Sequence, residues 1–193
     1  MSKRAVFYLS AFFVLTAAWS LLPVVSTQMG LAQAAQTTQT TQLRGVETGL
    51  PLPRFVSLKS GKVNVRRGPS RMHQVDWVYR RKGLPVEVVS EFEHWRRIRD
   101  FDGDVGWVHA SLLDSRRSGI IRGRVGGAPV RLYAMPDEYS ETLALAEPGV
   151  LTRLLSCTAK WCRAKVMGSE QTTEGWVERG HLWGLYTNER LEN

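Results

Sequence analysis

Four short motifs in this sequence occur twice, in the same order and at nearly constant spacing. KVNVRRGPS (62–70) aligns with PVRLYAMPD (129–137), pairing Val63 with Val130, Val65 with Leu132 and Pro69 with Pro136. Gly83 followed by LPVEVVS aligns with Gly149 followed by VLTRLLS. HWRRIR (94–99) aligns with KWCRAK (160–165), setting Trp95 on Trp161, and GWVHASLL (106–113) aligns with GWVERGHL (175–182), setting Trp107 on Trp176. The offset drifts only from 67 to 66 to 69, with the largest insertion in the turn-like MGSEQTTEG. Self-similarity at a fixed period marks structural units in tandem, here two of roughly 60 residues. The Pro-centred corner is common to both units, whereas Arg66 and Arg67 belong to the first alone, Tyr133 and Ala134 standing in their places.

Inside each unit the pattern is that of short strands. Alternating runs such as KVNV, PVEVV, WRRIR and GWVHA are separated by Gly, Pro, Asp and Ser, and no apolar period of 3.6 residues persists beyond two turns. Such spacing predicts an all-β protein made of small barrels or sandwiches rather than a parallel α/β sheet. The units divide as residues 55–117 and 118–193.

The first residues bear on location. Lys3 and Arg4 precede an uncharged apolar run over residues 5–25, and Ala32 and Ala34 fit the small-residue positions of a cleavage site, so residues 1–34 are expected to be a signal peptide. The alternative is an uncleaved membrane anchor, because a run of that length approaches the ~20 residues that span a bilayer; Pro23 and the polar Ser20, Ser26, Thr27 and Gln28 weigh against it. Residues 35–54, Thr/Gln-rich with few large apolar side chains, are expected to be a disordered, flexible linker. The protein is thus expected to be periplasmic or secreted, meeting a membrane only if the signal segment stays in place. Its formal net charge of +8 then points to envelope polymers or acidic proteins and not to nucleic acid. That charge is uneven: residues 54–117 hold 14 Lys and Arg against 8 Asp and Glu, whereas residues 118–193 hold 9 of each.

With these motifs in view, both units resemble the bacterial Src-homology-3-type (SH3b) domain. The family's pattern is a V-N-V-R-x-G-P-S strand, a G-x-x-V-x-V stretch, a W-x-x-V/I strand and a closing G-W-V-H. The first unit matches all four as VNVRRGPS, GLPVEVVS, WRRIR and GWVHASLL; the second keeps the spacing but lacks the Arg-x-Gly. The resemblance implies two tandem small SH3-like β-barrels of about five to six strands each. It also implies an extracytoplasmic binding role towards a cell-wall glycopeptide (peptidoglycan) or an envelope protein that handles it.

Cys157 and Cys162 are the only cysteines. In the repeat register they bracket a four-residue hairpin turn, a placement that suits a disulfide in an oxidising compartment; free or metal-bound thiols are the alternatives. DFDGDVG (100–106) has carboxylates at positions 1, 3 and 5, but Val105 and Ser111 stand where a calcium loop needs Gly and Glu, so a solvated Asp-Gly hairpin turn is expected. The recurring tryptophans suit core and barrel closure. Trp77, Tyr79 and Trp183 fall outside the shared framework and are candidates for either core or binding surface. Basic residues cluster as Arg66, Arg67 and Arg71, then Arg80, Arg81 and Lys82, then Arg96, Arg97 and Arg99.

The expected ligand-binding set is Arg66, Arg67, Arg71, Trp77, Tyr79, Trp95 and Arg97, with arginines gripping carboxylates and an aromatic ring supplying a stacking surface. The bland alternative is a solvated charged surface that deters edge pairing. His73, His94, His109 and His181 are scattered, and no catalytic or phosphate-loop motif is present. The expectation is a non-enzyme without cofactor or metal: either a wall-binding module or a protein–protein adaptor.

Overall fold

The computed structural model describes residues 42–167 and 172–192. The expected signal peptide and the first part of the expected linker lie outside them.

Strands β1 (Arg54–Leu58), β2 (Val63–Arg66), β3 (Val75–Tyr79), β4 (Pro85–Phe92), β5 (Trp95–Arg99), β6 (Val105–His109) and β7 (Leu113–Asp114) form one antiparallel sheet in the order β3-β2-β6-β5-β4-β1-β7. Strands β8 (Ser118–Ile121), β9 (Val130–Tyr133), β10 (Thr142–Ala146), β11 (Leu151–Cys157), β12 (Trp161–Met167), β13 (Thr172–Glu178) and β14 (Leu182–Trp183) form a second. Its order, β10-β9-β13-β12-β11-β8-β14, repeats the first strand for strand. The protein is therefore all-β, as expected, and the repeat in sequence is a repeat in topology. Each sheet has seven strands, the extra ones being the two-residue β7 and β14.

Alternation explains why the sheets curl. Val63 and Val65 on β2, Val86 and Val88 on β4, Ile98 on β5 and Val108 on β6 point inward and are at most 0% exposed. With Leu52 and Leu58 they form the first core; Val130, Leu132, Leu154, Ala164, Val177 and Leu182 are among the residues of the second. A β-bulge falls between Val88 and Ser90 in β4 and, 66 positions on, between Leu154 and Ser156 in β11. An extra residue at these points bends the strand and lets the sheet wrap on itself. The glycine of each G-W-V motif has a steric cause. A Cβ on Gly106 would sit 2.3 Å from Val65, and one on Gly175 would sit 3.0 Å from the Tyr133 carbonyl, where the barrel closes.

Cys157 and Cys162 form a disulfide, their Cα atoms 4.1 Å apart as directly opposed residues of the β11–β12 hairpin. Trp161, beside the turn, packs edge to face on Tyr133 at 5.5 Å. The loop closed by the bridge is short, so replacing both cysteines with serine is expected to remove about 2 kcal/mol. Urea midpoints of the oxidised protein and the double variant check this; equal midpoints would show that the hairpin holds without its bridge.

The linker expectation needs correction over residues 42–53. This segment folds back on itself through the Arg44–Pro51 bridge, and Leu52 donates its amide to Leu43 and enters the first core. It docks on Glu91 of β4. The side chain of Glu91 is fully buried and accepts from the amides of Glu47 (3.1 Å) and Thr48 (3.0 Å), the Thr48 hydroxyl (2.7 Å) and Arg54 (2.6 Å). Gly45 must be glycine, since a Cβ there would lie 2.3 Å from the Glu91 carboxyl carbon. Burial alone pushes the Glu91 carboxyl upward, but the hydrogen bonds from Thr48 and Arg54 outweigh it and hold the pKa down to about 2.

The two barrels touch along the outer face of the first. Phe55 on β1 meets Trp183 edge to face at 5.1 Å and Tyr186 at 4.8 Å, and Phe101 meets Trp183 at 5.6 Å. Beside them the Tyr186 hydroxyl donates to Glu87 at 2.8 Å, and the hydroxyls of Ser57 and Ser118 lie 2.5 Å apart. Trp183, a candidate for either role, is thus a packing residue between barrels.

Candidate binding grooves on the two barrels

Because Val63 and Val65 face the first core, the alternate residues Lys62, Asn64 and Arg66 face outward together. They form one wall of a groove of about 300 Å³ that is closed by Arg71, Trp95 and His109. The loop after β2 sets Arg71. Gly68 packs so closely on the His73 ring that a Cβ would lie 2.4 Å from it, and Arg66 donates to the His73 carbonyl at 2.6 Å. One member of the Arg66–Arg67 pair therefore holds the corner while lining the groove. The other turns away: Arg67 is exposed and pairs with Asp76 at 2.5 Å.

His109 sits at the end of β6, its ring 5.4 Å from that of Trp95 in an edge-to-face contact. Its Nδ1 caps the short 3-10 turn Ala110–Leu112 by accepting the amide of Ser111 at 3.3 Å, and it lies 2.8 Å from the Ser111 hydroxyl. Burial, then the electrostatic influence of Arg71, His94 and Arg96, lowers its pKa below the ordinary 6.5. An anion arriving in the groove would favour protonation of this imidazole.

Of the expected binding set, Arg66, Arg71 and Trp95 come together here, with Trp95 only 8% exposed. The others lie elsewhere. Trp77 and Tyr79 pack on the first core, edge to face at 6.1 Å, and the Tyr79 hydroxyl donates to Asp100 at 2.5 Å. Burial and then that hydrogen bond push the Tyr79 pKa up. Asp100 also accepts the amides of Asp102 (3.1 Å) and Asp104 (2.9 Å), closing the Asp-Gly hairpin turn. Arg97 is exposed on β5, away from the groove, and its neighbours are committed. Arg96 is buried against Glu91 at 3.4 Å, and Arg99 pairs with Glu87 at 2.5 Å. Lys62, Asn64 and His109 were not singled out from the sequence. The period of β2, which sets every residue beside an inward valine on the outer face, is the signal that finds the first two.

The second barrel carries a groove at the same place, about 770 Å³ in volume. There Arg131 takes the position of Asn64, Tyr133 that of Arg66, Glu138 that of Arg71 and Glu178 that of His109. Duplication has kept the place of the groove and changed its size and charge. The first groove is cationic; the second mixes Arg124 and Arg131 with Glu138 and Glu178.

Two tandem SH3-like barrels with a groove on the same edge of each define a binding-type fold. The bacterial SH3 domain family model matches the chain twice, over residues 59–115 and 126–184. The protein belongs to that family. Among solved structures, NlpC2 from Trichomonas vaginalis is similar at 10% identity and a TM-score of 0.30, over 68% of this chain and 48% of that one. NlpC1 from the same organism is similar at 9% identity and a TM-score of 0.31, over 72% and 48%. The chain spans about half the length of these two proteins. No curated protein matches it.

Proposed function

We propose that the protein is a non-catalytic binding module of the cell envelope, exported to the periplasm or beyond, and that the first barrel engages peptidoglycan or another anionic envelope polymer. The family supports a cell-wall-related role. The ligand assignment is carried by one observation: the groove shared by both barrels is lined by Lys62, Arg66, Arg71 and His109 in the first, with no carboxylate among its lining residues. Arginine forks and a lysine suit the carboxylates of peptide stems, and the edge of Trp95 offers a sugar or a side chain an apolar contact.

Co-sedimentation of the purified protein with isolated sacculi tests this. Wild-type protein is expected in the pellet at moderate salt. Lys62→Ala with Arg71→Ala, which leave the Arg66 corner intact, should weaken pelleting at least about tenfold, two charge-assisted hydrogen bonds being lost. The pelleted fraction should rise as pH falls through the range below 6.5, where His109, its pKa lowered from that ordinary value, gains its proton. Wild-type protein left in the supernatant would overturn the reading.

A second reading, a protein–protein adaptor, is favoured by the edge of the second sheet. Strand β10 ends that sheet and exposes Leu143 (43%) and Leu145 (63%), with Tyr139 nearby in sequence and 89% exposed. An apolar edge strand invites pairing with a strand of another chain. Failure to pellet with sacculi would favour this reading.

A further inference from the structure

We propose that the cleft between the two barrels binds a compact, multiply charged anion of the phosphate class, gripped by Arg81 and Lys82 from the first barrel and Arg153 and Lys165 from the second. The cleft holds about 660 Å³ and lies apart from both grooves. Among the described residues, six cationic side chains line it against one carboxylate, Asp114. Two of the six are already engaged, Arg116 by Asp114 at 2.5 Å and Arg117 by Glu189. Among the described residues, Arg81, Lys82, Arg153 and Lys165 form no ion pair.

In the strand register Lys165 lies between Arg153 on β11 and Glu174 on β13, and Glu174 is engaged by Arg163 at 2.6 Å. Arg153 on β11 and Lys165 on β12 are directly opposed in the strand register, so both project from the same face. Like charges facing each other across an antiparallel pair are destabilising. Concave, low-dielectric walls raise the potential between such charges and draw counter-ions to it. A bound anion relieves the repulsion and gains charge-assisted hydrogen bonds.

The neutral lining argues for the class of anion. The hydroxyl of Ser57 donates to the Arg116 carbonyl at 2.6 Å and that of Thr152 to the Gly119 carbonyl at 3.2 Å, so neither is left to read a ligand. Among the described residues no aromatic ring lines the cleft, so they offer no platform for a sugar face. Recognition here is by charge. Guanidinium forks and lysine ammonium groups around one cleft suit phosphate oxygens, which carry several charges on few atoms. The phosphate groups can come from a soluble oligophosphate or from lipid headgroups.

Sodium tripolyphosphate, titrated into the purified protein by calorimetry and by thermal melting, tests the site. Wild-type protein is expected to bind and to melt higher with the anion present. Arg153→Ser with Lys165→Ser should lower the affinity on the order of 100-fold. Lys62→Ala with Arg71→Ala, in the first groove, should leave tripolyphosphate binding unchanged, so this site and the proposed wall-binding site stand or fall separately. Sedimentation with phosphatidylglycerol vesicles, reversed by tripolyphosphate, would identify a headgroup as the source; tripolyphosphate binding without vesicle binding would identify a soluble phosphate. No binding by wild type, or equal binding by the Arg153/Lys165 variant, would overturn the proposal.

Discussion

Replacing Glu91 with alanine is expected to destabilise the first barrel by about 3–5 kcal/mol, the usual effect of removing one partner from a buried charged network. Four groups donate to this carboxylate and Arg96 lies 3.4 Å away. Its loss leaves the cations of Arg54 and Arg96 and two backbone amides without their acceptor. The same network gives a pH signature. The folded carboxyl is lowered from 4.5 to about 2, so its contribution is fully present above pH 4.5 and disappears as pH falls through the interval between those values. By linkage that contribution is roughly 3 kcal/mol. Urea midpoints of wild type and Glu91→Gln should therefore differ most at pH 7 and converge towards pH 2. A difference that stays constant with pH would mean that the carboxylate charge is not what holds the strap over residues 42–53. Gly45→Ala offers an independent check, since it displaces the strap while leaving every charge in place.

Phe55→Ala carries the second large expected effect. Its ring fills the space between Trp183 and Tyr186 and lies under the Arg117 guanidinium at 6.0 Å. Truncation should remove about 2–3 kcal/mol, somewhat below the loss at a fully enclosed site because the ring is only partly buried. The more telling readout is cooperativity. In the wild type the interface couples the barrels, so one calorimetric transition is expected; in the variant the disulfide-bearing second barrel should outlast the first and two transitions should separate. A variant that still melts in one step would show that the remaining contacts, Tyr186 to Glu87 and Ser57 to Ser118, suffice for coupling.

These two sites also mark the limit of what the sequence discloses. The tandem barrels were legible because they rest on local, periodic signals: inward valines at 63 and 65, a glycine wherever G-W-V crosses β2 or β9, and tryptophans in matching register. The disulfide was legible because the register set Cys157 opposite Cys162. The strap was not. Composition measures apolar burial, and this segment is held chiefly by its own amides and a threonine hydroxyl turned towards a buried acid 43 residues further on. Arg96 was counted with a basic cluster for a related reason: its partner Glu91 lies on the neighbouring strand, and an ion pair between strands leaves no mark on charge counts. Half of the first groove could be read from the alternation of β2 and Arg71 from its basic cluster, whereas His109 arrives from the end of β6. The cleft between the barrels draws on β1, β8, β11 and β12 at once, and no motif in one dimension encodes such a meeting.

The strap over Glu91 has a mechanical side. It is the first described part of the chain, and it joins β1 and β4 of the first barrel through a cluster of short polar bonds rather than through a long strand ladder. Tension applied from the N-terminal side would load that cluster before reaching any strand of the sheet. The bonds would open one after another, like a seam, and the barrel behind them would keep its groove while the chain lengthened by the paid-out strap.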